Sequence, residues 1–149
     1  MTLTYKTELV DFCIQLLKNR EIELQLEVEE NMKISNDYGA PKDRYDGFKN
    51  QQLRKVEMLS AQRQLIQADI LVYLQINLQQ PSETVKLGTL FSANNQVLFV
   101  ATSMGKIEFK GQTIFLISPK VPYYEAMKGL KKGQKGVFRG NEIEIENLV

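Results

Sequence analysis

The chain has 149 residues, a formal net charge of +1, no histidine, no tryptophan and a single cysteine. Without histidine there is no Ser-His-Asp triad, no Cys-His pair and no histidine-ligated zinc site, and one cysteine builds no disulfide framework. Through Gln80 ten Lys and Arg stand against twelve Asp and Glu, and from Pro81 nine stand against six. Neither half carries the basic excess by which a protein grips free nucleic acid through its phosphates.

Apolar runs stay short of the roughly 20 residues that cross a membrane, and "MTLTYKTELVDF" lacks the basic-then-apolar order of a secretory leader. With Cys13 in an apolar helical run, these features predict a soluble protein of a reducing, cytoplasmic compartment, with no membrane partner.

From about Thr4 to Asn36, and from about Asp43 to Leu78, Gly and Pro are almost absent and good helix formers dominate. Val10, Cys13, Leu17, Arg20 and Leu24 follow the three-and-four spacing of a coiled-coil seam. Val56, Leu59, Arg63, Ile66, Ile70 and Tyr73 follow it too. If the chain folds back at Pro41 and Lys42, facing residues have numbers of constant sum. Val10 with Tyr73, Cys13 with Ile70, Leu17 with Ile66 and Leu24 with Leu59 each sum to 83. The expectation is an antiparallel helical hairpin. That register also opposes Arg20 to Arg63, which repel unless Glu21, Glu23 or another acid intervenes. "EIELQLEVEE" alternates like a strand, but Leu24 and Val28 are four apart and no turn residues bound the stretch, so helix is expected there.

The turn, "DYGAPKDRYDG", crowds Asp37, Asp43 and Asp46 around Gly-Ala-Pro. Asp43 and Asp46 are three apart at a helix start, so they share one face near its positive end. One reading is structural: Asp43 caps, Asp46 completes the first turn, and Gly39 with Pro41 makes the bend. The other is half of a magnesium site, since magnesium is commonly held by one or two carboxylates plus water and phosphate. Such a half-site acts only where another protein supplies the metal and a phosphodiester.

After "QQPSET" the composition turns to strands: "VKLGTLFS", "QVLFVAT", "KIEFK", "TIFLIS", "GVFRG" and "EIEIENL", with turns at Asn94-Asn95, Lys110-Gly111 and Gly140-Asn141. "SPKVPYYEAMKGLKKG" predicts a short proline-started helix, Val121 to Met127, closing near Gly129. The expected fold class is α+β: a helical hairpin over 1–79 with its acidic tip near 37–47, then a small antiparallel sheet with one short helix over 84–149. "GLKKGQKG" lacks the order of a phosphate loop.

"GQTIFLISPKVPYYEAMKGLKKGQKGVFRGNEIEIENLV", with Ser118-Pro119, Gly129, Lys131 or Lys132, Gly133 and a last strand from Ile143 to Val149, resembles the closing pattern of Gre-type transcript cleavage factors, the family of the bacterial transcription elongation factors GreA and GreB. The resemblance runs over nearly the whole chain and implies an FKBP-like second domain. It also implies a partner, RNA polymerase, whose secondary channel takes the hairpin so that tip acids assist the polymerase's magnesium in cutting backtracked RNA. By spacing Asp43 and Asp46 take the acidic places, with Asp37 and Tyr45 as tip contacts, the latter to the polymerase or to the RNA 3' end. Ser118 and Pro119 fall in the loop expected to dock on polymerase. Arg44, Lys49, Arg54 and Lys55 are candidates to face RNA phosphates.

On this reading the chain is no autonomous enzyme. It holds no metal alone, has no cofactor of its own and no small-molecule substrate, and is expected as a monomer. Two departures stand out: Asp46 sits where the stronger family pattern has Glu, one methylene longer, and Gly47 loosens the first helical turn. A non-cleaving regulator that occupies the channel, or a coiled-coil adaptor unrelated to transcription, is therefore kept as an alternative. A prolyl isomerase would need an aromatic pocket, for which Tyr123, Tyr124 and the strand phenylalanines give no assignment.

Overall fold

The computed structural model describes the backbone of residues 1–37 and 43–149, with side chains through 34, at 47 and from 49 onward. Helix α1 spans Leu3–Asp37 and helix α2 spans Asp43–Leu74. Strands β1 (Leu90–Ala93), β2 (Gln96–Val100), β3 (Gly105–Phe109) and β4 (Gln112–Ile117) follow, then helix α3 (Pro122–Met127), and strands β5 (Lys135–Phe138) and β6 (Asn141–Leu148). The fold is α+β. No described helix is long and apolar enough to cross a membrane. Contacts divide the chain into two units, Ile14–Leu71 and Met1–Cys13 with Val72–Val149.

Within Ile14–Leu71, α1 and α2 pack through Leu24, Val28 and Leu59, with Val56 and Ile66 against them. Leu24 and Leu59, paired by the constant-sum register, thus share one core. The strand-like alternation resolves as two stripes of one helix: Leu24 and Val28 turn inward, Ile22 and Leu26 outward at 58% and 60% exposure. The two arginines do not confront each other bare. Arg20 pairs with Glu23 at 3.1 Å and reaches Glu27 at 4.0 Å, while Arg63 Nε lies 3.5 Å from Glu21, an ion pair whose geometry falls short of a hydrogen bond. Gln67 donates to the same Glu21 carboxylate at 3.0 Å.

In the other unit the strands form one sheet ordered β3-β4-β2-β1-β6-β5. The sheet is mostly antiparallel, as expected, with one parallel pair, β2 and β4, Val97 opposite Ile114 through Val100 opposite Ile117. Parallel neighbours cannot be joined by a tight turn. Here the chain passes over residues 101–104 and forms the outer β3–β4 hairpin before β4 settles against β2.

Turns at Asn94-Asn95 and Lys110-Gly111 have positive φ at both positions, as two-residue hairpins of mirror-image type require. The third turn is Arg139-Gly140, at φ 51° and 80°, one residue earlier than expected, because glycine takes the second left-handed place and Asn141 already begins β6. "VKLGTLFS" is strand only from Leu90. Val85, fully buried, exchanges hydrogen bonds with Gly129 and Leu130 after α3, and Thr89 pins the intervening turn by donating to Thr84 O and accepting from Lys86 N. Helix α2 stops at Leu74, short of the expected Leu78, as Gln75 and Ile76 shift to i−3 bonds.

One sheet face, with Phe91, Ala93, Leu98, Val100, Ile143 and Ile145, packs on Tyr124 and Met127 of α3. Gly136 of β5 permits the close approach: a Cβ there would meet Ala126 O at 2.6 Å. Aromatic contacts tie the helix ends to the sheet. The ring centroid of Tyr73 lies 6.2 Å from that of Phe99, and Tyr5 and Phe12 lie 5.3 and 5.0 Å from Phe109.

Candidate functional site

Asp43 opens α2 and Asp46 lies three residues on, a spacing that puts both on one face of the helix at its positive end. The side chains of Asp37, Asp43, Arg44, Tyr45 and Asp46, and the bend at Gly39 to Pro41, lie outside the described residues. Beyond them Gly47 is exposed, with open space where a Cβ would stand.

Lys49 is half-buried and Arg54 and Lys55 are exposed, and none has an ion-pair partner among the described residues. At about 100° per residue, Lys49 points roughly 120–140° away from each of the other two. The helix therefore does not gather these cations into one stripe.

The second candidate place is the Ser118-Pro119 turn, where β4 hands the chain to α3. Both residues are half-buried. Ser118 Oγ accepts from Lys120 N at 3.2 Å and Ser118 O accepts from Val121 N at 3.3 Å. Val121 then caps α3 in extended conformation, with Pro122 at its first position, where a missing N–H costs nothing. The Ser118 hydroxyl thus works as a turn former, with half-buried Pro119 and exposed Lys120 following it.

Two buried polar groups escaped the sequence reading. Tyr73 accepts from Thr102 Oγ1 at 2.9 Å and donates to Met104 Sδ at 3.3 Å. Its hydroxyl also bonds the Cys13 thiol, which burial nevertheless pushes up to about 11. The other is Lys6, 1% exposed, whose ammonium donates to the Val149 oxygen at 3.1 Å. Burial, then the nearby charge of Lys86, brings its amine down to about 8. A signal was present: Lys6 lies four residues before Val10, so the seam extended one step back lands on it. Among the described residues no group of three or more Cys, Asp or Glu could hold a metal ion.

No protein family, no curated protein and no solved structure matches this chain.

Proposed function

We propose that this chain is a Gre-like transcription factor that binds RNA polymerase at its secondary channel and brings Asp43 and Asp46 to the polymerase's magnesium, where they assist cleavage of backtracked RNA. The observation that carries the reading is the order of parts: a helical hairpin whose turn is flanked by acids, then an α+β unit in which Ser118-Pro119 leads into α3. An FKBP-like second domain and a cytoplasmic location belong to the same proposal. Two acids alone do not hold magnesium, which fits a donated half-site and no autonomous activity. The chain would need no cofactor of its own, and its partners would be the polymerase and the RNA 3' end.

A second reading, a non-cleaving factor that occupies the same channel, is favoured by Asp46, whose shorter side chain reaches less far, and by Gly47, which slackens the helix carrying both acids. One experiment separates them: RNA cleavage in a stalled, backtracked elongation complex, with polymerase binding measured in parallel. Cleavage lost in Asp43→Ala and Asp46→Ala while binding persists supports the donated half-site. Binding without cleavage by the wild type supports the channel occupant. Absence of binding sinks both readings and leaves a coiled-coil adaptor.

A further inference from the structure

The segment after α2 and the turn before β1 line a partly open cavity of about 70 Å³, several times the roughly 10–15 Å³ that one water needs. Its polar lining is Asn77, Gln80, Ser82 and Lys86, and no carboxylate lines it. Asn77 Oδ1 is already taken by Gln79 N at 2.8 Å, so that side chain has its amide N–H groups left to offer. Lys86 has no ion-pair partner among the described residues.

Behind Ser82 stands Lys6, its ammonium 3.5 Å from the hydroxyl. Of its three N–H donors one serves the Val149 oxygen and one faces Ser82. The cavity wall is built rather than incidental. Gly88, at φ 89°, packs so closely on Ile76 that a Cβ would come within 2.9 Å of its Cγ2, and Thr89 pins the turn that presents Lys86.

We propose that this cavity is a binding site for a small oxyanion of the phosphate class, held by Lys86, Ser82 and the amides of Asn77 and Gln80, with the buried Lys6 supplying a second positive charge from behind. The lining offers the Lys86 ammonium, the Ser82 hydroxyl and two side-chain amides with no carboxylate among them, a donor set that an oxyanion completes. Burial first, and then the charge of Lys86, lowers the Lys6 amine, so the Lys86 charge is felt at the Lys6 ammonium behind the wall.

The probe is inorganic phosphate, titrated against the whole chain by calorimetry and thermal unfolding, with chloride at matched ionic strength as reference. The expected result is a saturable heat and a rise in midpoint that chloride does not reproduce. Lys86→Met, an exposed change that should fold, is expected to weaken phosphate at least 10-fold, while Lys120→Met is not. Lys6→Met is the second variant and should weaken it further if it folds; Lys86→Met decides the matter if it does not. Phosphoserine titrated in parallel distinguishes the source. Binding of inorganic phosphate alone assigns the free ion, and binding of both assigns a phosphate group carried on a larger ligand. Equal effects of chloride and phosphate, or full phosphate binding by Lys86→Met, would overturn the proposal.

Discussion

The Thr102 hydroxyl donates a 2.9 Å hydrogen bond to the phenolic oxygen of Tyr73, and the two residues are 5% and 1% exposed. So shielded a pair has no water to turn to when one member is removed. Tyr73→Phe leaves the Thr102 hydroxyl without its acceptor and should cost about 1–3 kcal/mol in urea unfolding. Adding Thr102→Val removes the orphaned group as well and should recover part of that loss. A neutral Tyr73→Phe would mean that the bond contributes nothing net.

Gly136 and Gly47 should respond oppositely to alanine. At Gly136 the new methyl meets Ala126 O at 2.6 Å and Met127 Cε at 2.7 Å, so β5 and α3 must part, at a cost of about 1–3 kcal/mol. At Gly47, inside α2 and with nothing within 4 Å, alanine should stabilise by roughly 0.5–1 kcal/mol. Urea unfolding of both variants tests the pair of signs.

Cys13 should be chemically quiet in the folded chain. The thiolate is the nucleophile, and a thiol raised to about 11 is ionised to only about 0.1% at pH 8. Labelling by a chromogenic disulfide reagent should be slow in buffer and fast in urea. Rapid labelling of the native wild type would contradict the burial.

Lys6 gives stability a defined pH dependence. Its amine sits near 8 in the folded chain against 10.5 unperturbed, so between those values the unfolded chain binds more protons. Stability attributable to Lys6 should therefore rise with pH across that window, be complete above 10.5, and be lost as pH falls through 8. The wild type measured against Lys6→Met isolates this slope from the tyrosines, whose raised values at Tyr5 and Tyr123 act in the opposite sense near pH 10. A difference that stays flat from pH 8 to 10.5 would refute it.

The helical hairpin was legible because its signal is local and repeated. Leu24 and Leu59 meet as their numbering demands, and the acids beside Arg20 and Arg63 were visible as Glu23 and Glu21. Strands bounded by Asn94-Asn95 and Lys110-Gly111 were legible for the same reason. What escaped depends on distant partners. Nothing near Val97 announces that Ile114 lies parallel to it, and nothing near Val85 announces that its hydrogen bonds go to Gly129 and Leu130. At the candidate sites, helical spacing alone could have told that Lys49 points away from Arg54 and Lys55. The burial of Lys6 was readable only by carrying the seam back beyond Val10.

The pairing of β1 with β6 bears on the order in which a ribosome delivers this fold. Phe91 lies opposite Leu148, and the Lys6 ammonium bonds a residue 143 positions further on. Everything needed to close Leu24 and Val28 on Leu59 has left the exit tunnel long before β6 is made, so the hairpin can form during synthesis. The start of α1 must then wait, with Tyr5 and Phe12 uncovered until Phe109 of β3 is delivered and Lys6 without its Val149 partner until the last residue is made. A chain released early, before β3, should keep its helical signal yet expose that apolar surface, and so fall to chaperones or aggregation and not to misassembly of the hairpin.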